Sequence, residues 1–378
     1  MRTSLNICSW NVGGLLSEHY DKTTDKDFLA EFNNFDIVLL TETHVGYEHK
    51  IHFVDFNYYP FCRHKSRNNR YFGGLGILIR KGIKKGIKIL NDGTSEYQWI
   101  KLCKDFFNFK RDIYLCIIYY APKNNTDILE LLEKNILEKY KNLGDIILTG
   151  DFNARTGSED DHIAGDSNLH IPVNHNNYNV DLAIEQRVSQ DNTVDQRGKD
   201  LLEFCICNQI RILNGRCFGD SSGNFTCIKP NGCSVVDYVL VSQNLFHDIL
   251  YMDVSDFKAN FSDCHCKLSF KILASFDNNC MNNVSSLHDF PLRYMWNTNS
   301  AFNVQETLAH PLIQKEMRQF LDEEITLDSF GINNATNKIH MIYDKVCTAS
   351  LKKKNKSKTQ NKKWFDQDLM KMKKNCSK

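Results

Sequence analysis

The run Ile146-Ile147-Leu148-Thr149-Gly150-Asp151-Phe152-Asn153-Ala154 sets the reading of this chain. Its first four residues are apolar or β-branched at successive positions, the pattern of a strand covered on both faces. It then stops on Gly-Asp-Phe-Asn. Residues two apart on an extended chain point to the same side, so Asp151 and Asn153 present a carboxylate and a carboxamide together at a strand end. Oxygen groups placed this way can hold a hard cation or position a water.

The design recurs on both sides of that run. Residues 5–10 end at Asn11, 37–40 end near Glu42, 75–79 end at Arg80 and 113–120 end at Pro122. Residues 235–241 contain Asp237, and 268–272 follow Asp263 and His265. Helical stripes lie between: Ile128, Leu131, Leu132, Ile136 and Leu137 within 127–140, and Leu201, Leu202 and Cys205 within 198–210. Doubly covered strands alternating with amphipathic helices predict an α/β sandwich over residues 1–272. Residues 156–195 are polar, asparagine-rich and without periodicity, which predicts a surface insertion. After residue 272 the β pattern fades. Ala335, Ile339, Ile342, Val346 and Ala349 recur at helical spacing, so 273–378 reads as a helical, lysine-rich linker or extension.

With 378 residues and 42% hydrophobic content, the chain can bury a large core. Its charges nearly cancel, but 352–378 holds eleven lysines and two aspartates, so the rest is acidic. An acidic body argues against blanket coating of nucleic acid and suits a carboxylate site for a divalent cation. The tail could contact nucleic acid, element RNA included, or serve as a solvated linker, and the linker reading is favoured. The opening Met1-Arg2-Thr3-Ser4-Leu5-Asn6 lacks a signal-peptide apolar core, and no run approaches membrane-spanning length. The expectation is an intracellular protein with reduced thiols and no membrane partner, monomeric, with nuclear access if active. Cys264 and Cys266 flank His265, but no second pair completes a tetrahedral zinc set in the sequence.

Singly, the motifs have bland readings. Trp10-Asn11 could be a strand-to-turn junction, Glu42 a strand end and Tyr120 a packed aromatic. Asp237, amid Val235, Val236, Val239 and Leu240, looks buried and needs a partner. Together they come in a fixed order: Ser9-Trp10-Asn11-Val12-Gly13-Gly14, Thr41-Glu42-Thr43-His44, Tyr119-Tyr120-Ala121-Pro122, Gly150-Asp151-Phe152-Asn153-Ala154, Ser234-Val235-Val236-Asp237-Tyr238 and Ser262-Asp263-Cys264-His265. That series resembles the endonuclease/exonuclease/phosphatase superfamily over about residues 4–272. The resemblance implies a four-layered sandwich of two packed, mainly antiparallel β-sheets flanked by helices, and a phosphodiesterase dependent on Mg²⁺, with Mn²⁺ as a substitute. It implies that Glu42 and Asn11 hold the metal, that Asp151 orients or activates water with Asn153 fixing it, and that Tyr120 donates to a phosphate oxygen. It further implies that Asp237 pairs with His265, and that Asp263 lies at the metal's edge; Asp151, Asn153 and His265 complete the implied metal set.

Two departures stand out. Gly13 sits where the family usually carries an acid, and Cys264 separates Asp263 from a histidine that normally follows directly. On a strand that extra residue would reverse the face His265 meets unless a bulge absorbed it. The stretch 187–232, with Arg187-Val188-Ser189-Gln190-Asp191, Ile212-Leu213-Asn214-Gly215-Arg216 and Gly223-Asn224-Phe225-Thr226, resembles the endonuclease domain of LINE-type (non-LTR) retrotransposons. That subfamily nicks one DNA strand to leave a 3′-hydroxyl that primes reverse transcription. Thr226 falls where its members have a site-lining Thr or Ser, and Lys362-Lys363-Trp364-Phe365-Asp366 resembles the linker before their reverse transcriptase. No polymerase motif follows, so a fragment or truncated element is expected. Arg63, Arg67 and Arg70, among Tyr58, Tyr59 and Tyr71, and a second cluster at Arg80, Lys81, Lys84, Lys85 and Lys88, are candidate DNA contacts or solvated faces. A phosphatase or phospholipase of the same fold, and a catalytically decayed remnant that binds nucleic acid, stay open as alternatives.

Overall fold

Strand pairing turns the recurring apolar runs into two six-stranded sheets. The computed structural model describes residues 2–63, 71–122, 127–166, 180–182, 184–276, 294–295, 297, 299–323, 326 and 329–353. In chain order the strands are β1 (Arg2–Asn11), β2 (Ile37–Thr41), β3 (Phe56–Phe61), β4 (Leu75–Arg80), β5 (Ile87–Gly93), β6 (Tyr97–Leu102) and β7 (Asp112–Tyr119). Then come β8 (Gly144–Asp151), β9 (Ile210–Ile212), β10 (Cys227–Lys229), β11 (Gly232–Ser234), β12 (Asp237–Ser242), β13 (Ile249–Val254) and β14 (Leu268–Phe276). One sheet has the order β13-β14-β1-β2-β4-β3 and the other β5-β6-β7-β8-β12-β9, with β10 and β11 a separate ribbon. Each sheet is antiparallel except for one central parallel pair, β1 with β2 and β7 with β8.

The helices are α1 (Lys26–Ala30), α2 (Lys104–Phe107), α3 (Ile128–Asn135) and α4 (Gln196–Asn208) in this part of the chain. The period-2 alternation sorts side chains into layers. Leu5, Ile7, Ile37, Leu39 and Ile77 meet Ile113, Leu115, Ile117, Ile147 and Val239 between the sheets. On the outer face of the first sheet, Cys8, Trp10, Val38 and Leu40 pack with Phe28 of α1 and Phe32. On the outer face of the second, Tyr114, Cys116, Ile118 and Leu148 pack with Ile128, Leu132, Leu201 and Cys205 of α3 and α4. Three apolar seams make four layers, the architecture expected. The stripe on α3 differs by one position: Leu129 is buried and Leu131 exposed.

Compact packing divides the chain into Met1–Asn283 and Val284–Lys378. In the second unit α5 (Ser300–Ala309) and α6 (Pro311–Leu321) pack on α7 (Ser329–Ser350), with Lys345 pairing Glu316 at 2.8 Å. Among the described residues no helix is long and apolar enough to cross a membrane. The insertion is tied down at its described ends. Asp161 and Asp181 make ion pairs with Arg216 and Arg211 at 2.9 and 2.7 Å, and the four side chains are almost wholly buried. Most of the lysine tail lies outside the described residues, as does 167–179 of the insertion.

Candidate active site

The carboxyl ends of the two parallel pairs meet across the sandwich. Asn11 ends β1 beside Thr41 of β2, and Tyr119 ends β7 beside Asp151 of β8. Asp237 opens β12 directly opposite Asp151. The link between sheets is the Asn11 side chain, whose Nδ2 donates to Glu42 Oε1 at 2.8 Å and to Asp151 Oδ2 at 3.0 Å. Its Oδ1 accepts from Gly13 N at 3.2 Å, which fixes the amide orientation. Glu42, His44 and Asn153 have φ of +53°, +53° and +47°, a conformation non-glycine residues adopt rarely and mostly where the surroundings enforce it.

Asp151 Oδ1 accepts from Asn153 N at 2.9 Å, and Asn153 Nδ2 donates to the Tyr120 carbonyl at 3.2 Å. Burial, and then the Asp237 charge, push Asp151 up from the ordinary carboxyl range against the opposing pull of His265 and Asn11. Glu42 goes the other way. Burial would raise it, but hydrogen bonds from His44, Asn11 and Tyr119 outweigh that and hold it down at about 2. His44 Nε2 lies 3.2 Å from Glu42 Oε2.

His265 Nδ1 sits 2.9 Å from Asp237 Oδ2, and its Nε2 lies 3.8 Å from Asp151 Oδ2. Burial would lower the imidazole, yet Asp237 and Asp151 raise it to about 10. The extra Cys264 does not turn His265 away, because residues 262–265 precede β14, so strand alternation does not govern them. Ser262 Oγ donates to Asn11 O at 2.8 Å and accepts from His265 N at 3.0 Å, while Trp10 Nε1 donates to His265 O at 3.0 Å. The loop is thus fastened to the end of β1, and Cys264 turns toward β10.

Asn11, Glu42, Asp151, Asn153, Asp237 and His265 are therefore brought together. Four other candidates sit elsewhere or act differently. Tyr120 turns outward, its ring 4.1 Å beneath the Arg197 guanidinium; Tyr119, one residue earlier, carries the hydroxyl that bonds Glu42. Thr226 is fully buried, and its Oγ1 accepts from Val236 N and Asp237 N, both at 3.0 Å, so it supports Asp237 rather than offering a surface. Asp263 is exposed and lies over Gly13, where an added Cβ would stand 2.8 Å from its Cγ. Its carboxylate thus fills the space the missing acid at position 13 would take, and no described contact joins it to the other carboxylates. Arg63 pairs with Glu96 and lies 5.9 Å from the Tyr119 ring, at the rim; Arg67 and Arg70 are outside the described residues. In the second basic cluster Arg80 is buried, donating to the Phe32, Asn33 and Phe35 carbonyls, which removes it as a DNA contact.

Sequence reasoning passed over Tyr119 and Asn214. The alternation of Ile113, Leu115 and Ile117 into the seam between the sheets carries on to Tyr119 and could have placed it. Asn214 is buried, donates to Asp237 O at 3.1 Å and accepts from Val239 N at 3.1 Å. Nothing local in the sequence announces that support.

The buried Asp151 and the half-buried Glu42, bridged by the Asn11 amide, with Asp237 opposite Asp151, form a hard-oxygen donor set with excess negative charge. Those donors fit Mg²⁺ or Mn²⁺. The chain belongs to the Endonuclease/Exonuclease/phosphatase family, whose model matches residues 8–256. In fold it is similar to the endonuclease domain of TRAS1, a telomere-specific non-LTR retrotransposon, with 14% identity, a TM-score of 0.45, and 71% of this chain and 98% of that one covered. It is likewise similar to the AP endonuclease LMAP from Leishmania major, at 14% identity and TM-score 0.49, covering 72% and 88%. A third likeness, at 14% identity and TM-score 0.44, covering 72% and 99%, is to the 3′ phosphatase NExo from Neisseria bound to a product DNA hairpin. None of the curated proteins matches the chain in sequence.

Proposed function

We propose that the chain is a Mg²⁺-dependent DNA endonuclease that nicks one strand and leaves a 3′-hydroxyl able to prime reverse transcription. The observation that carries this reading is the bridge from Asn11 to both Glu42 and Asp151, with the Asp237–His265 pair set against Asp151. Glu42, Asn11, Asp151 and Asn153 would hold the cation. Bound there, Mg²⁺ would polarise the scissile phosphate and offset charge that develops on it.

The chain's own groups divide the rest of the work. Asp151 accepts the proton of the attacking water, its Oδ1 kept in place by Asn153 N. Asp237 accepts from His265 Nδ1 and favours the doubly protonated imidazole, so Nε2 keeps a second proton directed at the phosphate. The Tyr119 hydroxyl donates its one proton to Glu42 and so keeps that carboxylate in place for the cation. Arg63 at the rim supplies a backbone contact to DNA.

The test is a supercoiled-plasmid nicking assay with Mg²⁺, with EDTA, and with Asp151→Asn. Nicking should need the metal, fall at least about 100-fold in the variant, and leave ends that a DNA polymerase extends without phosphatase treatment. Cutting that survives EDTA and Asp151→Asn, or termini that cannot be extended, would overturn the reading. Salt-sensitive binding with no cutting would mark a decayed remnant, and phosphate release from inositol phosphates a phosphatase.

A further inference from the structure

Cys264, the residue that departs from the family's pattern, meets a partner thirty-seven positions away in sequence: its Sγ lies 3.3 Å from Cys227 Sγ. Both thiols are buried, at 8% and 2% exposure, in a small cluster with Val236. Ligand atoms of Cys227, Cys264 and His265 all lie within 4.8 Å of one another. The backbone on both sides is braced, Ile228 N donating to Cys264 O and Cys266 N to Thr226 O, each at 2.7 Å.

We propose that Cys227, Cys264 and His265 form a binding site for a single thiophilic d¹⁰ cation, Zn²⁺ or its analogue Cd²⁺, and that filling it shuts off the neighbouring phosphodiester site. A tetrahedral ion with M–S bonds of about 2.3 Å sets its two sulfurs about 3.8 Å apart. A disulfide sets them about 2.05 Å apart. The observed 3.3 Å lies closer to the first, and His265, with a ring nitrogen within 4.8 Å of both sulfurs, supplies the third protein ligand and leaves a fourth position open. Two thiolates and an imidazole are soft and borderline donors, so the site rejects Mg²⁺, while the oxygen set around Asn11 suits it.

His265 belongs to both constellations, with Asp151 and Asp237 on one side and the two cysteines on the other. If the ion takes Nδ1, Asp237 loses its hydrogen bond. If it takes Nε2, the proton directed at the phosphate is gone. Either way the soft ion and catalysis exclude one another. The inhibitory half of the proposal rests on the endonuclease reading; the binding half does not.

The test uses the full chain, reduced and freed of metal, titrated with Cd²⁺ while ultraviolet thiolate-to-metal charge-transfer absorption is followed. The wild type should bind one ion more than Cys227→Ser or Cys264→Ser, and each variant should lose at least about 100-fold in affinity at that site, more than a lost outer-shell partner costs. In the nicking assay at saturating Mg²⁺, Zn²⁺ should inhibit the wild type, a chelator that prefers Zn²⁺ to Mg²⁺ should restore it, and both variants should resist. Equal Cd²⁺ absorption in wild type and both folded variants overturns the site. Absorption that does depend on the cysteines, together with Zn²⁺ inhibition that does not, overturns the coupling. Should the wild type not nick DNA at all, the endonuclease reading fails and the absorption titration still decides the site.

Discussion

At the residue scale, the proposed activity turns on which of two adjacent tyrosines serves the site. Tyr119 is the last residue of β7 and continues the row that packs between the sheets, whereas Tyr120 lies under Arg197 on the helix side. Tyr119→Phe removes a donor from Glu42, and a hydrogen bond to a charged group is worth about 1.5–3 kcal/mol. Its nicking rate should fall about 10- to 100-fold, while Tyr120→Phe should stay within about threefold, since it deletes no contact at the site. The converse result, with Tyr120→Phe the damaging change, would restore the assignment made from the motif alone. The motif Tyr119-Tyr120-Ala121-Pro122 names the neighbourhood; strand phase picks the residue.

At the element scale, the start of β12 is the delicate part. Asp237 must face both Asp151 and His265, and its backbone N is held by Thr226 Oγ1 and its carbonyl by Asn214 Nδ2. Thr226→Val keeps the shape and strands two buried N–H groups, which costs about 1–3 kcal/mol for each group left without a partner. Urea unfolding should register that loss, and nicking should fall with it because Asp237 is no longer held against His265. Unchanged stability would mean that Val236 N and Asp237 N find other acceptors, and Thr226 would then lose its supporting role. The resemblance to retroelement endonucleases pointed at Thr226 as a lining residue, and only the packed element shows that its hydroxyl faces inward.

At the scale of the whole molecule, the insertion and the sandwich are joined by charge. Asp191 accepts from Arg155 Nε and Nη2 at 2.8 and 2.6 Å and from Val235 N at 2.9 Å, so one carboxylate ties the end of the insertion to the loop after β8 and to the segment entering β12. Burial alone would raise its pKa; the Arg155 guanidinium and the backbone donors outweigh that and hold it below the ordinary 3.8. A carboxyl depressed on folding adds stability that is in full force above its unfolded value and vanishes as pH drops through the folded one. Unfolding measured from pH 6 to pH 2 should therefore show a loss of stability below about 3.8 that Asp191→Asn lacks, the variant being weaker only at the upper end. Identical pH curves for the two proteins would remove Asp191 as the clasp.

Read alone, the chain announces its layers: successive apolar positions in residues 37–40, 113–120 and 146–149 demand cover on both faces, and the amphipathic stretches supply it. It also names most of the candidate site, because the order of its motifs resembles the endonuclease/exonuclease/phosphatase superfamily. Four things waited for the fold. They are which of Tyr119 and Tyr120 points inward, the inward hydroxyl of Thr226, the partner of Cys264 in Cys227, and the placing of Asp263 over Gly13. Each depends on a contact between segments far apart in the chain or on the phase of a strand at its last residue. Local pattern carries neither, since hydrogen-bond partners and side-chain faces at strand ends are chosen by whatever the rest of the molecule packs against them.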